Sequence, residues 1–120
     1  MTQKDKDILF KELCTRLPYG VKIKCVKSDS SLLDKVITFD KSWLETIQSP
    51  YHEFKPYLIP LTKIPIKLKT KLTRQTANIE GIFKQCVAEI DFYIKHHIDF
   101  RGLIEKGLAL DATEELGIYD

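Results

Sequence analysis

The sequence has few of the residues that mark disulfide scaffolds, zinc sites or glycine-rich phosphate loops. Its 120 residues include three cysteines and five glycines, and no Cys-x-x-Cys pair occurs. A disulfide framework or a zinc site would need closer or more numerous cysteine ligands. Cys14, Cys25 and Cys86 each occupy an apolar position of the local pattern. We therefore expect buried free thiols, which are typical of a reducing compartment.

Long hydrophobic runs and catalytic motifs are also missing. The chain opens with alternating charges and no apolar stretch behind them, and no run approaches the ~18 residues that a membrane span requires. No Ser/His/Asp order, paired-carboxylate motif or phosphate loop can be traced. These absences favour a cytoplasmic, non-enzymatic protein with no cofactor, no metal site and no membrane association.

The composition is that of an ordinary globular protein. Hydrophobic residues make up 43% of the chain and charged residues 30%, which distinguishes it from a disordered segment. The length is close to the common size of one domain, and no internal repeat or low-complexity tract occurs. We expect residues 1–120 to form a single domain.

The first forty residues predict a helix followed by a β-hairpin. Leucines recur every four positions over residues 9–17, and Thr2 can cap the helix at its start. Glu12 and Arg16 fall on the polar side of this helix. Residues 21–27 then alternate apolar and polar side chains, as a half-buried antiparallel strand does, and residues 32–39 supply the partner strand after a polar turn.

The middle of the chain is punctuated by four prolines between Pro50 and Pro65. A short helix capped by Asp40 or Ser42 is expected before them. Because proline lacks the N–H that a sheet requires, residues 54–61 are predicted to form an edge strand or an extended loop rather than a central strand. Residues 66–76 combine strand-like and helix-like spacing, and we favour a short basic helix or a loop.

A long helix is the clearest feature of the second half. Its apolar residues line one continuous face, and Asn78 is its expected cap. The members of this face are Ile79, Ile82, Phe83, Cys86, Val87, Ile90, Tyr93, Ile94 and His97. We expect the face to be buried against the sheet. The predicted fold class is therefore α+β: an N-terminal helix, an antiparallel β-hairpin or small sheet, and this long helix packed on the sheet.

One cluster of polar residues spans the end of that helix and the turn after it, namely His96, His97, Asp99 and Arg101. Its composition suits an imidazole pair oriented by a carboxylate, or a phosphate site. Adjacent helical residues point about 100° apart, however, so the two histidines do not easily converge on one metal or substrate. We expect structural roles, with Asp99 and Arg101 holding the turn after the helix.

Positive charge is concentrated in the basic segment, residues 63–74. No acidic residue lies between Glu53 and Glu80. The candidate nucleic-acid contacts are Lys63, Lys67, Lys69, Lys71 and Arg74. The alternative is a solvated lysine face, because no aromatic residue interleaves with these cations to stack on bases. The chain ends with the opposite charge, carried by Asp111, Glu114, Glu115 and Asp120.

Four aromatic residues are candidate partner contacts. Tyr51, Phe54 and Tyr57 lie in the proline-rich segment, where they form a partner surface or close over the core of the hairpin. Phe92 lies off the main apolar face of the long helix. An exposed aromatic side chain there would mark an interface, for example with a second copy, whereas a helix packed on two sides would bury it.

Three blocks of the sequence look familiar, over residues 11–24, 55–61 and 96–104. They resemble a group of small proteins, without established activity, that are encoded in gut-bacterial genomes and in their phages or integrated elements. The resemblance implies a bacterial or phage-derived cytoplasmic setting and no particular activity. It does not extend to the basic segment or to the acidic end.

Two functional hypotheses follow. The first is a non-enzymatic accessory or protein-interaction domain that binds an unidentified protein or a second copy of itself. The alternative is a nucleic-acid-binding protein that uses the basic segment 63–74.

Overall fold

A capping box begins the first helix, α1 (Gln3–Arg16). In a computed structural model that describes residues 1–115 and 117–119, the Thr2 hydroxyl accepts a hydrogen bond from the Asp5 N–H at 3.1 Å. The Asp5 carboxylate accepts one from the Thr2 N–H at 3.3 Å. Two backbone donors that the helix leaves unpaired are thereby satisfied, as the sequence predicts.

The predicted hairpin is confirmed by strands β1 (Lys22–Ser28) and β2 (Val36–Thr38), which pair antiparallel. The alternate residues Val21, Ile23 and Cys25 are fully buried, so the period-two pattern identifies the core face correctly. The second strand is shorter than the predicted 32–39. Its first residues form a turn instead, which ends at Asp34 in the left-handed backbone region with φ 64°.

Strand β3 (His52–Pro60) lies at the centre of the sheet, which corrects the prediction of an edge strand or loop. The strand order is β2-β1-β3-β4, where β4 is Ile98–Asp99, and β5 (Leu110–Asp111) also pairs with β3. The β1 pairing is antiparallel and the pairings with β4 and β5 are parallel. The described part of the chain thus contains one mixed five-stranded sheet.

The prolines of β3 fit this central position because the strand changes partners along its length. Its residues 52–56 pair with β1, whereas residues 57–60 pair with β4 and β5. Pro56 therefore lies where the strand has a neighbour on one side, and Pro60 is its last residue. Both are positions where a missing N–H is tolerated.

Three further helices connect and cover the strands. Asp40 accepts a hydrogen bond from the Ser42 N–H at 2.8 Å and begins a 3₁₀ turn that leads into α2 (Leu44–Gln48), as predicted. Helix α3 (Ile66–Thr76) decides the ambiguous segment in favour of the helix. Helix α4 (Ile82–Lys95) is the predicted long helix, and α3 packs against it.

Helix α4 is shorter than predicted at both ends. It begins after Gly81, whose φ of 92° is incompatible with a helix, so Asn78 does not cap it. It ends at Lys95, and His97 adopts the left-handed region with φ 63°. Both histidines therefore lie outside the helix.

In the described part of the chain the core consists of two clusters, one on each side of β3. Phe54 and Leu58 belong to the cluster that also contains Leu13 of α1, whereas Tyr57 and Ile59 belong to the cluster that contains Phe92 of α4. The division follows from the alternation of side chains along a strand. Helices α1 and α4 thus pack on the sheet, and the α+β class that the sequence predicts is confirmed.

The face of α4 that packs on the sheet is not the predicted one. Phe92 is the one buried residue of α4, every residue of which the structure describes, and the predicted core residues Phe83 and Ile90 are exposed. Among residues 61–91, all of them described, none is buried. The sheet is too small to cover the whole helix, because β4 and β5 are two residues long. Accordingly, the molecule is elongated, with principal extents of 50 × 29 × 26 Å.

Two phenylalanines of α4 test this arrangement. Phe92→Ala should lower the free energy of unfolding by about 3–5 kcal/mol, because it empties a buried site. Phe83→Ala should change it by less than about 0.5 kcal/mol, because that side chain is exposed. Urea denaturation at low micromolar protein measures both values. Equal losses for the two variants would contradict the orientation of α4.

Candidate functional site

The α4 apolar face is an exposed hydrophobic surface in the second half of the chain. It consists of Ile82, Phe83, Cys86, Val87 and Ile90, which share one side of the helix at spacings of three and four residues. Ile82 is 79% exposed, Phe83 88%, Val87 58% and Ile90 40%. Large apolar side chains that lie together in water mark interaction surfaces.

Two opposite charges border this face on the same side of α4. Lys84 and Asp91 are seven residues apart, which is about two helical turns. Together with Phe83, Val87 and Ala88 they line a shallow groove of about 320 Å³. Among the described residues, neither charge forms an ion pair. The apolar face therefore has a charged rim that is available to a partner.

The structure brings together three of the five candidate nucleic-acid contacts. Lys67, Lys71 and Arg74 are exposed and follow one another along one face of α3 at helical spacing. Lys69 is two residues from both lysines, which places it about 160° away around the helix. The five cations therefore do not form one surface. The sequence prediction counts the positive charges without considering the directions in which a helix points them.

Lys63 lies apart from the α3 cations, in a 3₁₀ turn that precedes the helix. Its ammonium group is 3.0 Å from the Asp111 carboxylate. The hydrogen bonds from Thr113 and Lys63 lower the pKa of Asp111, against the opposing effect of its burial. Part of the acidic end thus pairs with the basic segment, whereas Asp120 lies outside the described residues.

Three of the four candidate partner contacts are buried, which agrees with the alternative that these side chains close over the core. Phe54 lies in one core cluster and Tyr57 in the other. Phe92 is 3% exposed and lies on the side of α4 that packs on the sheet. The Tyr57 hydroxyl donates a hydrogen bond to Glu115 at 2.8 Å. Burial and this carboxylate raise the pKa of Tyr57 to about 12. Only Tyr51, at 76% exposure, is accessible to a partner.

The two histidines after α4 pack against different aromatic rings. The His96 ring centroid lies 4.4 Å from that of Phe92, and the His97 ring stacks on Tyr119 at 4.0 Å with 12° between the planes. Within the described residues, His96 Nε2 and His97 Nδ1 have no hydrogen-bond partner. This arrangement does not assemble an imidazole pair around a common ligand.

Asp99 and Arg101 have separate roles at the turn that follows. The Asp99 carboxylate accepts hydrogen bonds from the Leu103 and Ile104 N–H groups, both at 2.9 Å, so it holds the turn as predicted. Arg101 instead stacks over Phe100 at 5.0 Å and approaches the Glu12 carboxylate at 3.5 Å. The polar cluster read from the sequence therefore separates into structural contacts.

Sequence reasoning missed the buried ion pair between Glu12 and Arg16, which it placed on the polar side of α1. Both side chains are buried, and Arg16 Nε donates to Glu12 at 2.7 Å. The guanidinium group also donates to the Ile98 carbonyl at 2.6 Å and to the Tyr93 carbonyl at 3.3 Å. The one available signal was the acid–base spacing of four residues, a spacing that exposed ion pairs on helices also use.

A cavity lies between α1 and the start of β3. It measures about 310 Å³, and its lining includes Lys6, Phe10, Ile47 and His52. Over residues 1–115 and 117–119, no group of three or more His, Cys, Asp or Glu side chains is arranged to hold a metal ion. No described helix combines the length and the apolar character needed to cross a bilayer.

The three cysteines differ in accessibility. Cys25 is buried as expected, Cys14 is half-buried, and Cys86 is exposed on the α4 apolar face. The expectation of three buried thiols is therefore wrong for Cys86. The reason is the same as for Phe83, since the predicted core face of α4 points away from the sheet.

The fold and the surfaces together define an α+β protein that carries an exposed apolar helix face and, on the neighbouring helix, a basic face. Comparison with protein-family models, with curated proteins and with solved structures finds no match to the chain. A function must therefore be inferred from the residues of the surfaces themselves.

His97 makes the stability of the fold depend on pH. Burial lowers the pKa of His97 from 6.5 to about 4, and the positive charge of Arg16 acts in the same direction. As the pH falls below 6.5, the unfolded chain takes up a proton at this position, whereas the native chain does so only near pH 4. The neutral His97 ring therefore makes its full contribution to the free energy of unfolding above pH 6.5. This contribution is lost as the pH falls from 6.5 to about 4.

We expect this loss to reach roughly 2–3 kcal/mol between pH 7 and pH 4. His97→Asn removes the titrating ring and keeps a residue that tolerates positive φ. The variant should show a shallower fall in the free energy of unfolding over the same pH range, measured by urea denaturation. An unchanged slope would show that His97 does not titrate as described.

Proposed function

We propose that the protein is a non-enzymatic interaction domain whose contact surface is the α4 apolar face. The observation that carries the proposal is the exposure of Ile82, Phe83 and Val87 on one side of a single helix. Apolar surface that leaves water on binding contributes about 25 cal/mol per Å². An amphipathic helix that presents such a face is a common recognition element for a groove or for another helix.

The position of α4 supports this proposal, because the helix contacts the sheet near its C-terminal end. Phe92 packs with Tyr57, Ile59 and Ile98 in the core, on the side of α4 that is opposite to Phe83. The apolar face is therefore held in place without being covered. A preformed surface loses little conformational freedom on binding, which favours affinity.

Photo-crosslinking in cells that naturally express the protein tests the contact surface. A photoreactive amino acid in place of Cys86 should form a conjugate with one discrete polypeptide, because position 86 lies within the α4 apolar face. The same amino acid in place of Asp29, in the exposed turn after β1, is the matched control and should form none.

Adding Phe83→Asp should abolish the conjugate from position 86, because an aromatic anchor of the contact surface is replaced by a charge. Conjugates in equal yield from positions 86 and 29, or no conjugate from position 86, would contradict the proposal.

A second candidate function, nucleic-acid binding, is favoured by one observation. Lys67, Lys71 and Arg74 share a face of α3, and among the described residues none of them is neutralised by an ion pair. Cations in such a row suit a phosphate backbone, which is bound without regard to base sequence.

Fluorescence anisotropy with duplex DNA tests this second candidate. Three phosphate contacts should give a log–log salt slope of roughly −2 to −3, from about −0.9 per contact. Lys67→Glu with Lys71→Glu should abolish binding, whereas Lys69→Glu, on the opposite side of the same helix, should weaken it much less. No binding at about 100 µM protein, the weak limit of non-specific affinity, would retire this candidate.

A further inference from the structure

We infer that the partner of the α4 apolar face is a second copy of this chain, with α4 packed antiparallel against α4 about a two-fold axis between Cys86 and Val87. The inference rests on the proposed interaction function and names its partner. It depends on the order of the charges and apolar residues along α4.

The charges that border the face are self-complementary. In a symmetric antiparallel pair of helices, the two-fold axis places each flank of one helix beside the same flank of the other, in reverse order. Lys84 and Asp91 occupy the same flank, so Lys84 of each copy faces Asp91 of the other. Lys84 of one copy lies level with position 89 of the other, which is two residues from Asp91. At 1.5 Å per residue this offset is about 3 Å along the helix axis, a distance that the two side chains span. Such reciprocity is what a two-fold interface requires.

The apolar residues match in the same register. Phe83 of each copy meets Ile90 of the other, and Cys86 meets Val87. Exposure falls from Phe83 to Ile90 along α4. Antiparallel pairing therefore brings the most exposed side chain of one copy to the end of the face that lies nearest the sheet of the other. The opposed helix dipoles also favour this direction over a parallel one.

The elongated shape accommodates this pairing. Helix α4 is fixed to the sheet near its C-terminal end by Phe92, and none of the described residues 61–91 is buried. Two antiparallel copies of α4 consequently carry their sheets at opposite ends of the helix pair. The two sheets do not compete for the same space.

Charge exchange between two variants tests the inference by analytical ultracentrifugation. Lys84→Asp alone places like charges together at both ends of the interface, and so does Asp91→Lys alone. Each variant should dimerise about tenfold more weakly than the native chain, given two ion pairs reversed per dimer. An equimolar mixture of the two variants should recover native affinity, because each Asp now faces a Lys.

The mixture also shows whether a single variant dimerises weakly because of repulsion at the interface or because it is misfolded, since mixing would not restore a damaged fold. Lys4→Asp, an exposed charge change on α1, should leave dimerisation unchanged. Phe83→Asp should weaken it by about a hundredfold or more, as loss of an aromatic anchor does. Failure of the mixture to recover would overturn the antiparallel register.

A native chain that stays monomeric at the highest concentration tested would overturn the inference altogether. The proposed function fails separately. If position 86 still forms a Phe83-dependent conjugate with a polypeptide of another mass, the interaction function stands and its partner is a different protein. If it forms none, both fail.

Discussion

The buried guanidinium group of Arg16 is the contact on which the placement of the helices depends. It joins the Glu12 carboxylate of α1 to the Tyr93 carbonyl of α4 and the Ile98 carbonyl of β4. Removing two charges from water costs several kcal/mol per ion, and only good geometry with additional hydrogen bonds offsets that cost. The carbonyl contacts supply those bonds, so α1, the end of α4 and β4 must stay together.

A second polar contact fixes the same region from the other side. The Tyr119 hydroxyl accepts from the Lys22 N–H at 2.8 Å and donates to the Tyr57 carbonyl at 2.6 Å, while its ring stacks on His97. The left-handed backbone of His97 ends the helix against this ring. With its last turn held in this way and Phe92 in the core, α4 cannot rotate to bury Phe83. The exposed apolar face is therefore a consequence of how the core is built.

The sequence predicts local structure well where the spacing of residues fits only one kind of element. The capping box and the β1 face follow from the spacing of residues 2–5 and 21–27. Residues 66–76 fit two periods, and only the structure shows that they form the helix α3. A period shows that a face is apolar but not what covers it. Helix α4 carries a broad apolar face and a single phenylalanine, Phe92, opposite to it, and it is Phe92 that is buried against the sheet. Charged residues mislead for a related reason, since Glu12 and Arg16 resemble any solvated pair until their burial is known.

Pairing through α4 would also change the basic face of α3. Helix α3 packs against α4, so in such a pair the two α3 helices would belong to one particle. That particle would carry two rows of Lys67, Lys71 and Arg74, one from each copy. Two rows on one particle convert the second phosphate contact into an intramolecular step, which strengthens weak binding without any new residue. The salt dependence would steepen in proportion to the number of phosphates contacted. A monomer with three free cations binds nucleic acid weakly. Pairing through the α4 apolar face would therefore raise the nucleic-acid affinity of the second candidate function.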